Sequence, residues 1–150
     1  INNSREALMR TLSKVDILIL NDGEARLLTG ENNLIRAAKK ILAYGPDRVV
    51  IKKGEHGAIS LTDSTFFFTP AYPLEHVVDP TGAGDSFAGG FLGYLASVDD
   101  TSEESIRKAV IYGTVIASFN VEDFSLNRQR TLTRAEVDHR YHQLQESTLF

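Results

Sequence analysis

The sequence predicts an α/β fold with a largely parallel sheet, and two observations support this. Short apolar runs rich in β-branched residues alternate with longer segments of helical apolar spacing. A glycine turn joins one apolar run to a helix within VVDPTGAGDSF, residues 77–87. No internal repeat or linker interrupts the 150 residues, a length that favours one compact unit. Ligands of such sheets bind beyond the carboxyl ends of the strands, so the glycine turn is a candidate site.

Each element is predicted from its periodicity. Apolar spacing near 3.6 residues predicts helices, and short β-branched runs predict strands. In chain order we predict a helix at 7–15, a strand at 16–20, helices at 21–30 and 32–45, a strand at 48–52, a strand near 58–61, extended segments at 64–79, and helices at 85–98, 101–121 and 131–144. In the helix at 85–98, Gly89 and Gly93 are predicted to allow close backbone packing.

Local residue chemistry marks the helix ends. A polar residue followed three positions later by Glu predicts a capping box. We predict such boxes at Asn21 with Glu24, Thr101 with Glu104, and Thr133 with Glu136. Gly30 stands where a left-handed C-terminal cap belongs.

Composition excludes several classes of function. The net charge is −4 and no Lys/Arg cluster forms a basic face, so we do not expect a nucleic-acid partner. No apolar run reaches membrane-spanning length, so we expect no membrane partner. The absence of cysteine fits a reducing compartment, and we expect a cytoplasmic protein.

The glycine turn has the chemistry of an anion site. Gly82, Ala83 and Gly84 can point successive backbone N–H groups outward, and the following helix adds its positive dipole end. Asp85 stands beside them, where a carboxylate can accept a proton from an alcohol during phosphoryl transfer. The alternative is that Asp85 only favours the helix N-terminus and the glycines only make a turn. Phe87 occupies the third glycine position of G-x-G-x-x-G, which disfavours dinucleotide binding.

Three stretches resemble one family. DPTGAGDSFAGGF (79–91) is similar to the signature of the ribokinase-like, phosphofructokinase-B type carbohydrate kinases, although Pro80 stands where many members have Thr. NDGE (21–24) is similar to the family's Asn-x-x-Glu motif, and KKGEHG (52–57) to its nucleotide loop. The resemblance covers roughly residues 15–125. It implies a Rossmann-type three-layer α/β/α sandwich of the ribokinase kind.

The resemblance implies roles for the turn. Asp85 matches the catalytic base that deprotonates the acceptor hydroxyl for attack on the γ-phosphate of ATP. Gly82, Ala83 and Gly84, with the N–H of Asp85, match the anion hole. The acceptor is expected to be a small sugar or nucleoside.

The resemblance also implies the metal and nucleotide contacts. Asn21 and Glu24 match the motif that organises Mg²⁺ and phosphates through water, and a plain capping box is the alternative. Lys53, Gly54 and Gly57 match the nucleotide loop. A hairpin turn is the alternative for the glycines, and a solvated side chain is the alternative for the lysine.

Further positions match less specific features. Asp79 and Thr81 resemble positions around a monovalent-cation site, such as a K⁺ site, in some members. The segment 120–125 would supply more oxygens to it. Tyr112 and Gly113 lie on the helix expected to flank adenine, and core packing is the alternative.

Only the C-terminal half of the family pattern is matched. We therefore expect residues 1–150 to be the C-terminal ATP-binding and catalytic portion of a kinase domain, without the N-terminal half and its lid. Such a portion would pair with the missing half or self-associate, for example as a homodimer. The alternative functions are a nucleotide-binding or regulatory module that does not catalyse, and a kinase of the same fold acting on a vitamin precursor.

Overall fold

The computed structural model describes residues 4–149. The chain divides into two compact units, one ending at Phe68 and the other beginning at Thr69. The strands are β1 (Ile17–Asn21), β2 (Arg48–Lys52), β3 (Ala58–Leu61) and β4 (Phe66–Thr69). The helices are α1 (Arg5–Leu12), α2 (Asp22–Thr29), α3 (Leu34–Leu42), α4 (Ala83–Val98), α5 (Glu103–Asn120), α6 (Asn127–Arg130) and α7 (Arg134–Glu146). The prediction of one compact unit is therefore wrong. The assignment of residues 1–150 to one portion of a kinase domain stays a prediction.

The sheet of the first unit is mixed, with strand order β1-β2-β3-β4. Strands β1 and β2 are parallel, with Ile19 opposite Val50. Strands β2 and β3 are antiparallel, with Ile51 opposite Ile59. The expectation of a largely parallel sheet is therefore wrong for this unit. Residues 53–57 are too few for the crossover that a parallel pair needs, so they close a hairpin instead.

The core of the first unit lies between this sheet and its helices. Both faces of β2 are covered, since Val49, Val50 and Ile51 are all fully buried. The side chain of Asn33 caps the start of helix α3 by accepting hydrogen bonds from two backbone N–H groups. The helix buries Ile41 in the core that it shares with the sheet.

The second unit is built on the packing of α4 against α5. A β-carbon added at Gly113 would lie 2.8 Å from the Phe87 carbonyl oxygen, and one added at Gly90 would lie 2.9 Å from Ile116. A β-carbon at Gly89 or Gly93 would meet nothing within 4 Å. The close approach therefore occurs at Gly90 and Gly113, and the prediction for the other two glycines is wrong. Gly90 shares the face of α4 that buries Phe87 and Phe91, whereas Gly89 and Gly93 are exposed.

Arg140 is one of the residues that attach helix α7 to α5. The Arg140 guanidinium donates to the Ser118 hydroxyl at 3.0 Å and to Glu122 at 2.7 Å, and it lies 3.5 Å from the centre of the Phe119 ring. The charge is thus paired and its flat face is covered. These contacts fix the position of α7 beside the C-terminal end of α5.

Two of the three predicted capping boxes are confirmed. Asn21 with Glu24 and Thr133 with Glu136 form reciprocal bonds, and Gly30 has the left-handed conformation at the end of α2 (φ 74°).

The third predicted box is wrong, because Ser102 and not Thr101 caps α5. The Ser102 hydroxyl accepts from the Ser105 N–H at 3.3 Å, and it donates to Asp100. Hydrogen bonds from the Ser102 and Ser105 hydroxyls lower the pKa of Asp100 to about 2. The Asp100 carboxylate, which precedes α5, thus orients the Ser102 hydroxyl that caps the helix.

Among the helices formed by residues 4–149, none combines the length and the apolar character that a bilayer crossing requires.

Candidate functional site

The turn before α4 has the conformation that its glycine requires. The Ala83 N–H donates to the Pro80 carbonyl at 3.2 Å, which closes a four-residue turn. Gly82 has φ 83° and ψ −5°, the values of the third residue of a type II turn, where a β-carbon is disfavoured. Gly82 is also the N-cap residue of α4, since its carbonyl accepts a hydrogen bond from the Ser86 N–H at 2.8 Å.

Three backbone N–H groups at this end of α4 are available to a ligand. Among residues 4–149, the N–H groups of Gly82, Gly84 and Asp85 have no acceptor, whereas that of Ala83 is engaged within the turn. Helix α4 is 16 residues long, and its positive dipole end coincides with these donors. The arrangement suits an anion such as a phosphate group.

Asp85 lies in the first turn of α4 and is exposed. Within the described part of the chain, its carboxylate accepts no hydrogen bond and forms no ion pair. It does not cap the helix, because no side chain caps α4. A carboxylate free of partners beside free N–H donors has the geometry of a general base next to an anion site.

A cavity of about 700 Å³ opens beside this helix end. Such a volume is in the range of small-molecule sites. It is lined by Gly82, Asp85, Ser86, Gly89, Gly90, Ile116, Leu126, Gln129, Leu132, Thr133, Arg134 and Val137. Gln129 donates to the buried Ser86 hydroxyl at 2.7 Å, which holds α6 over α4. The cavity thus has apolar walls, and its polar lining at the start of α4 includes Asp85 and Ser86.

Tyr112 and Gly113 are not among the residues that line the cavity. The Tyr112 ring is stacked between Tyr94 and Tyr141, with ring centres 4.6 Å apart on each side, and its hydroxyl donates to Asp138 at 3.0 Å. Burial and then the bond to Asp138 raise the pKa of Tyr112. With both faces covered, the ring is not open to a base, which favours the packing alternative. Ile116, one turn further along α5, lines the cavity instead.

Asp79 anchors the turn to the loop after α5. Its carboxylate accepts from the Thr81 N–H at 2.9 Å and from the Ser125 N–H at 3.4 Å. Hydrogen bonds from Thr81 and then from Ser125 lower the pKa of Asp79. The N–H of Val78 donates to the Val121 carbonyl at 2.8 Å. The monovalent-cation role of Asp79 and Thr81 stays a prediction, and over residues 4–149 no cluster of three His, Asp or Glu side chains is arranged to hold a metal.

Asn21 and Glu24 lie in the first unit, where they cap α2. Each side chain accepts the backbone N–H of the other at 2.7 Å. The Asn21 N–H donates to Oε2 of Glu24, so Oε1 of Glu24 remains without a partner in the described chain. The capping function is shown, and the magnesium function stays a prediction.

Lys53, Gly54 and Gly57 form the turn between β2 and β3. The Lys53 N–H donates to the Gly57 carbonyl at 2.7 Å, and both glycines have positive φ, 57° and 82°. The Lys53 amine lies 5.4 Å from the centre of the Phe68 ring. A β-carbon at Gly54 would meet nothing within 4 Å, so the outer face of the turn is open. The hairpin is shown, and the nucleotide contact stays a prediction.

Comparison with known proteins identifies the family. The profile of the pfkB family carbohydrate kinases matches residues 2–133. The chain belongs to this family. The cytidine kinase of Thermococcus kodakarensis is 43% identical over 90 residues, which cover 59% of this chain and 32% of that protein. The deoxyribokinase of Salmonella typhi is 31% identical over 122 residues, covering 78% of this chain and 38% of that protein.

A solved structure confirms the fold. The putative ribokinase II of E. coli, in complex with ATP and Mg²⁺, superimposes with a TM-score of 0.76 at 27% identity. The match covers 93% of this pfkB family chain and 43% of that protein. The α/β fold of the ribokinase type is therefore shown. The matched segments cover 32% and 38% of the two curated relatives.

Proposed function

We propose that this chain is the ATP-binding and catalytic portion of a kinase that phosphorylates a hydroxyl of a sugar or nucleoside. One observation carries the proposal: a partner-free Asp85 and three unengaged N–H groups stand together at the start of α4, at the edge of the cavity. Family membership supports the reaction class. We further propose that residues 1–150 form the C-terminal portion of that kinase domain, and that the protein acts in the cytoplasm.

The chemistry assigned to the turn is an in-line displacement. The acceptor oxygen bonds to the γ-phosphorus of ATP as the bond to the β,γ-bridging oxygen breaks, and ADP leaves. Asp85 takes the acceptor's proton, and the N–H groups of Gly82, Gly84 and Asp85 stabilise the charge on the transferring group. Ala83 contributes by holding the turn, since its own N–H is used within it.

The cavity is the proposed place for the rest of the nucleotide. Its apolar wall at Ile116, Leu132 and Val137 suits a flat base, and its mouth at Gly82 and Asp85 suits the phosphates. This assignment replaces Tyr112 by Ile116 as the α5 residue next to the base. Lys53, Gly54 and Gly57 remain candidates for a further nucleotide contact through the open face of their turn.

Asn21 and Glu24 are the proposed magnesium residues. The donor set fits, because Mg²⁺ prefers oxygen ligands, keeps several waters and is held by few carboxylates. Oε1 of Glu24 is the oxygen left over by the capping box. When bound, Mg²⁺ would neutralise phosphate charge. K⁺ near Asp79 and Thr81 stays part of the proposal.

A second candidate function is nucleotide binding without turnover. The observation that favours it is the partial match to its relatives, since the matched segments cover 32% and 38% of the two curated relatives. The two candidates share the α4 site and differ only in whether an acceptor is bound and phosphorylated.

Two measurements on the 150-residue chain separate these candidates. Calorimetry gives the affinity for ATP with Mg²⁺, and a coupled assay follows ADP formation with ribose, deoxyribose, fructose or cytidine as acceptor. Acceptor-dependent ADP formation supports the kinase. ATP binding without acceptor-dependent ADP formation supports the binding module, and absence of ATP binding refutes both.

A further inference from the structure

Asn120, the last residue of α5, has a polar atom that the fold leaves without a partner. The residue is fully buried, and its Nδ2 donates to the Ser125 carbonyl at 2.6 Å. Its Oδ1 is buried and has no hydrogen-bond partner among residues 4–149. Buried polar atoms are nearly always paired, so the exception calls for a reason.

The Asn120 carboxamide lies against the phosphate turn. A β-carbon at Gly82 would stand 3.4 Å from Oδ1 and 3.9 Å from Nδ2 of Asn120. The amide thus covers the side of Gly82 from which a side chain would project. Gly82 is also the residue whose left-handed conformation starts α4. The unpartnered oxygen therefore faces the residue on which the turn depends.

Ser125 links Asn120 to the other end of the turn. Ser125 is a non-glycine residue with φ 57°, a conformation that needs support from its surroundings. Support comes from both sides: its carbonyl accepts from Asn120, and its N–H donates to Asp79 at 3.4 Å. Asp79 in turn accepts from the Thr81 N–H at 2.9 Å. Asn120, Ser125, Asp79 and Thr81 thus form a hydrogen-bonded chain that ends beside Gly82.

We propose that Asn120 is a positioning residue for the phosphate-binding turn. It acts through Gly82, which it covers, and through Ser125 and Asp79, which hold the turn from the other side. The inference rests on the proposed function, because it takes the free N–H groups of this turn to bind the nucleotide phosphates. An amide suits the position because it offers a donor to Ser125 without a negative charge beside the phosphates.

The test compares ligands that differ only in the phosphates. Dissociation constants for ATP and for AMP, each with Mg²⁺, are measured by calorimetry on the parent, Asn120→Ala and Asn120→Asp. We expect the ATP constant to rise about fivefold to tenfold for the alanine variant, because the turn loses its support. We expect a larger rise for the aspartate variant, which has the same shape but brings a negative charge. The AMP constant should change by less than about twofold, a difference too small to reflect loss of a contact.

Asn33→Ala is the matched control. Asn33 also accepts hydrogen bonds from backbone N–H groups, at the start of α3 in the first unit. Its loss should lower stability, measured by urea unfolding, without changing the ratio of the ATP and AMP constants.

The outcomes separate the inference from the proposed function. Parent chain that binds no ATP refutes both. Parent chain that binds ATP, with an unchanged ratio of the two constants in both Asn120 variants, refutes the inference alone. Equal weakening of ATP and AMP also refutes it, because a purely structural residue would act on both. Weakening that high K⁺ reverses would assign Asn120 to cation binding and overturn its positioning role.

Discussion

The approach of α4 to α5 predicts opposite effects of the same substitution at two glycines. In Gly113→Ala, the added carbon would lie 2.8 Å from the Phe87 carbonyl oxygen and 3.1 Å from the Phe87 ring. The nearest atom belongs to the α4 backbone, so relief requires moving the helix that carries Asp85. In Gly93→Ala, the added carbon meets nothing within 4 Å.

The magnitudes follow from these distances. Replacing an unhindered helical glycine by alanine stabilises by about 0.5–1 kcal/mol, which is our prediction for Gly93→Ala. Overpacking costs about 1–3 kcal/mol, and the rigid contact at Gly113 places it near the upper end. The gain in helix propensity offsets part of this cost, so Gly113→Ala should lower the free energy of unfolding by about 2 kcal/mol. The two variants should therefore differ by about 3 kcal/mol.

The assay is urea unfolding followed by near-ultraviolet circular dichroism. The chain has no tryptophan and five tyrosines, of which Tyr94, Tyr112 and Tyr141 stack in the second unit, so this signal reports mainly on that unit. Equal stability of the two variants would refute the close packing. A gain in stability for Gly113→Ala would refute it more strongly.

Two further predictions concern the ends of helices. Gly82→Ala should lower stability by about 1–2 kcal/mol through its left-handed conformation, without a steric clash, because the nearest atom would be 3.4 Å away. Calorimetry should also show weaker ATP binding by this variant, and unchanged stability and affinity would count against the turn geometry. Hydrogen bonds from Thr133 and then Arg128 lower the pKa of Glu136 from 4.5 to about 2. The stabilisation by its carboxylate is therefore present above about pH 4.5 and is lost as the pH falls towards about 2. Glu136→Gln should flatten the fall of unfolding free energy over that interval, and an unchanged profile would contradict the assignment.

The sequence predicts features that depend on neighbouring residues. The Asn21–Glu24 box, the left-handed cap at Gly30 and the start of α4 after a glycine turn all follow from residue chemistry within a few positions. The β2 bounds, Arg48–Lys52, also match the predicted strand. The Thr101 box fails because Asp100 binds the hydroxyl of the next serine, a competition that the spacing of Thr and Glu does not reveal.

Features that depend on which helix faces meet are not predicted. Gly89 and Gly90 are adjacent, and only the fold shows that the second one contacts α5. The sequence places Tyr112 beside a ligand or in the core, and the stacking with Tyr94 and Tyr141 favours the core. The cavity wall formed by Gln129, Leu132, Arg134 and Val137 was missed. A partial signal was present, since the Thr133–Glu136 box fixes the start of the helix that supplies part of this wall.

The most direct test of the central claim is the rate of acceptor-dependent ADP formation in Asp85→Asn compared with the parent chain, at saturating ATP. Asparagine keeps the size of the side chain and removes its ability to take a proton. We predict that the rate falls by a factor of about 10²–10⁴, the usual contribution of a general base, while the dissociation constant for ATP rises by no more than about twofold. A parent that binds ATP and forms no ADP with any acceptor, or a variant as active as the parent, would contradict the account.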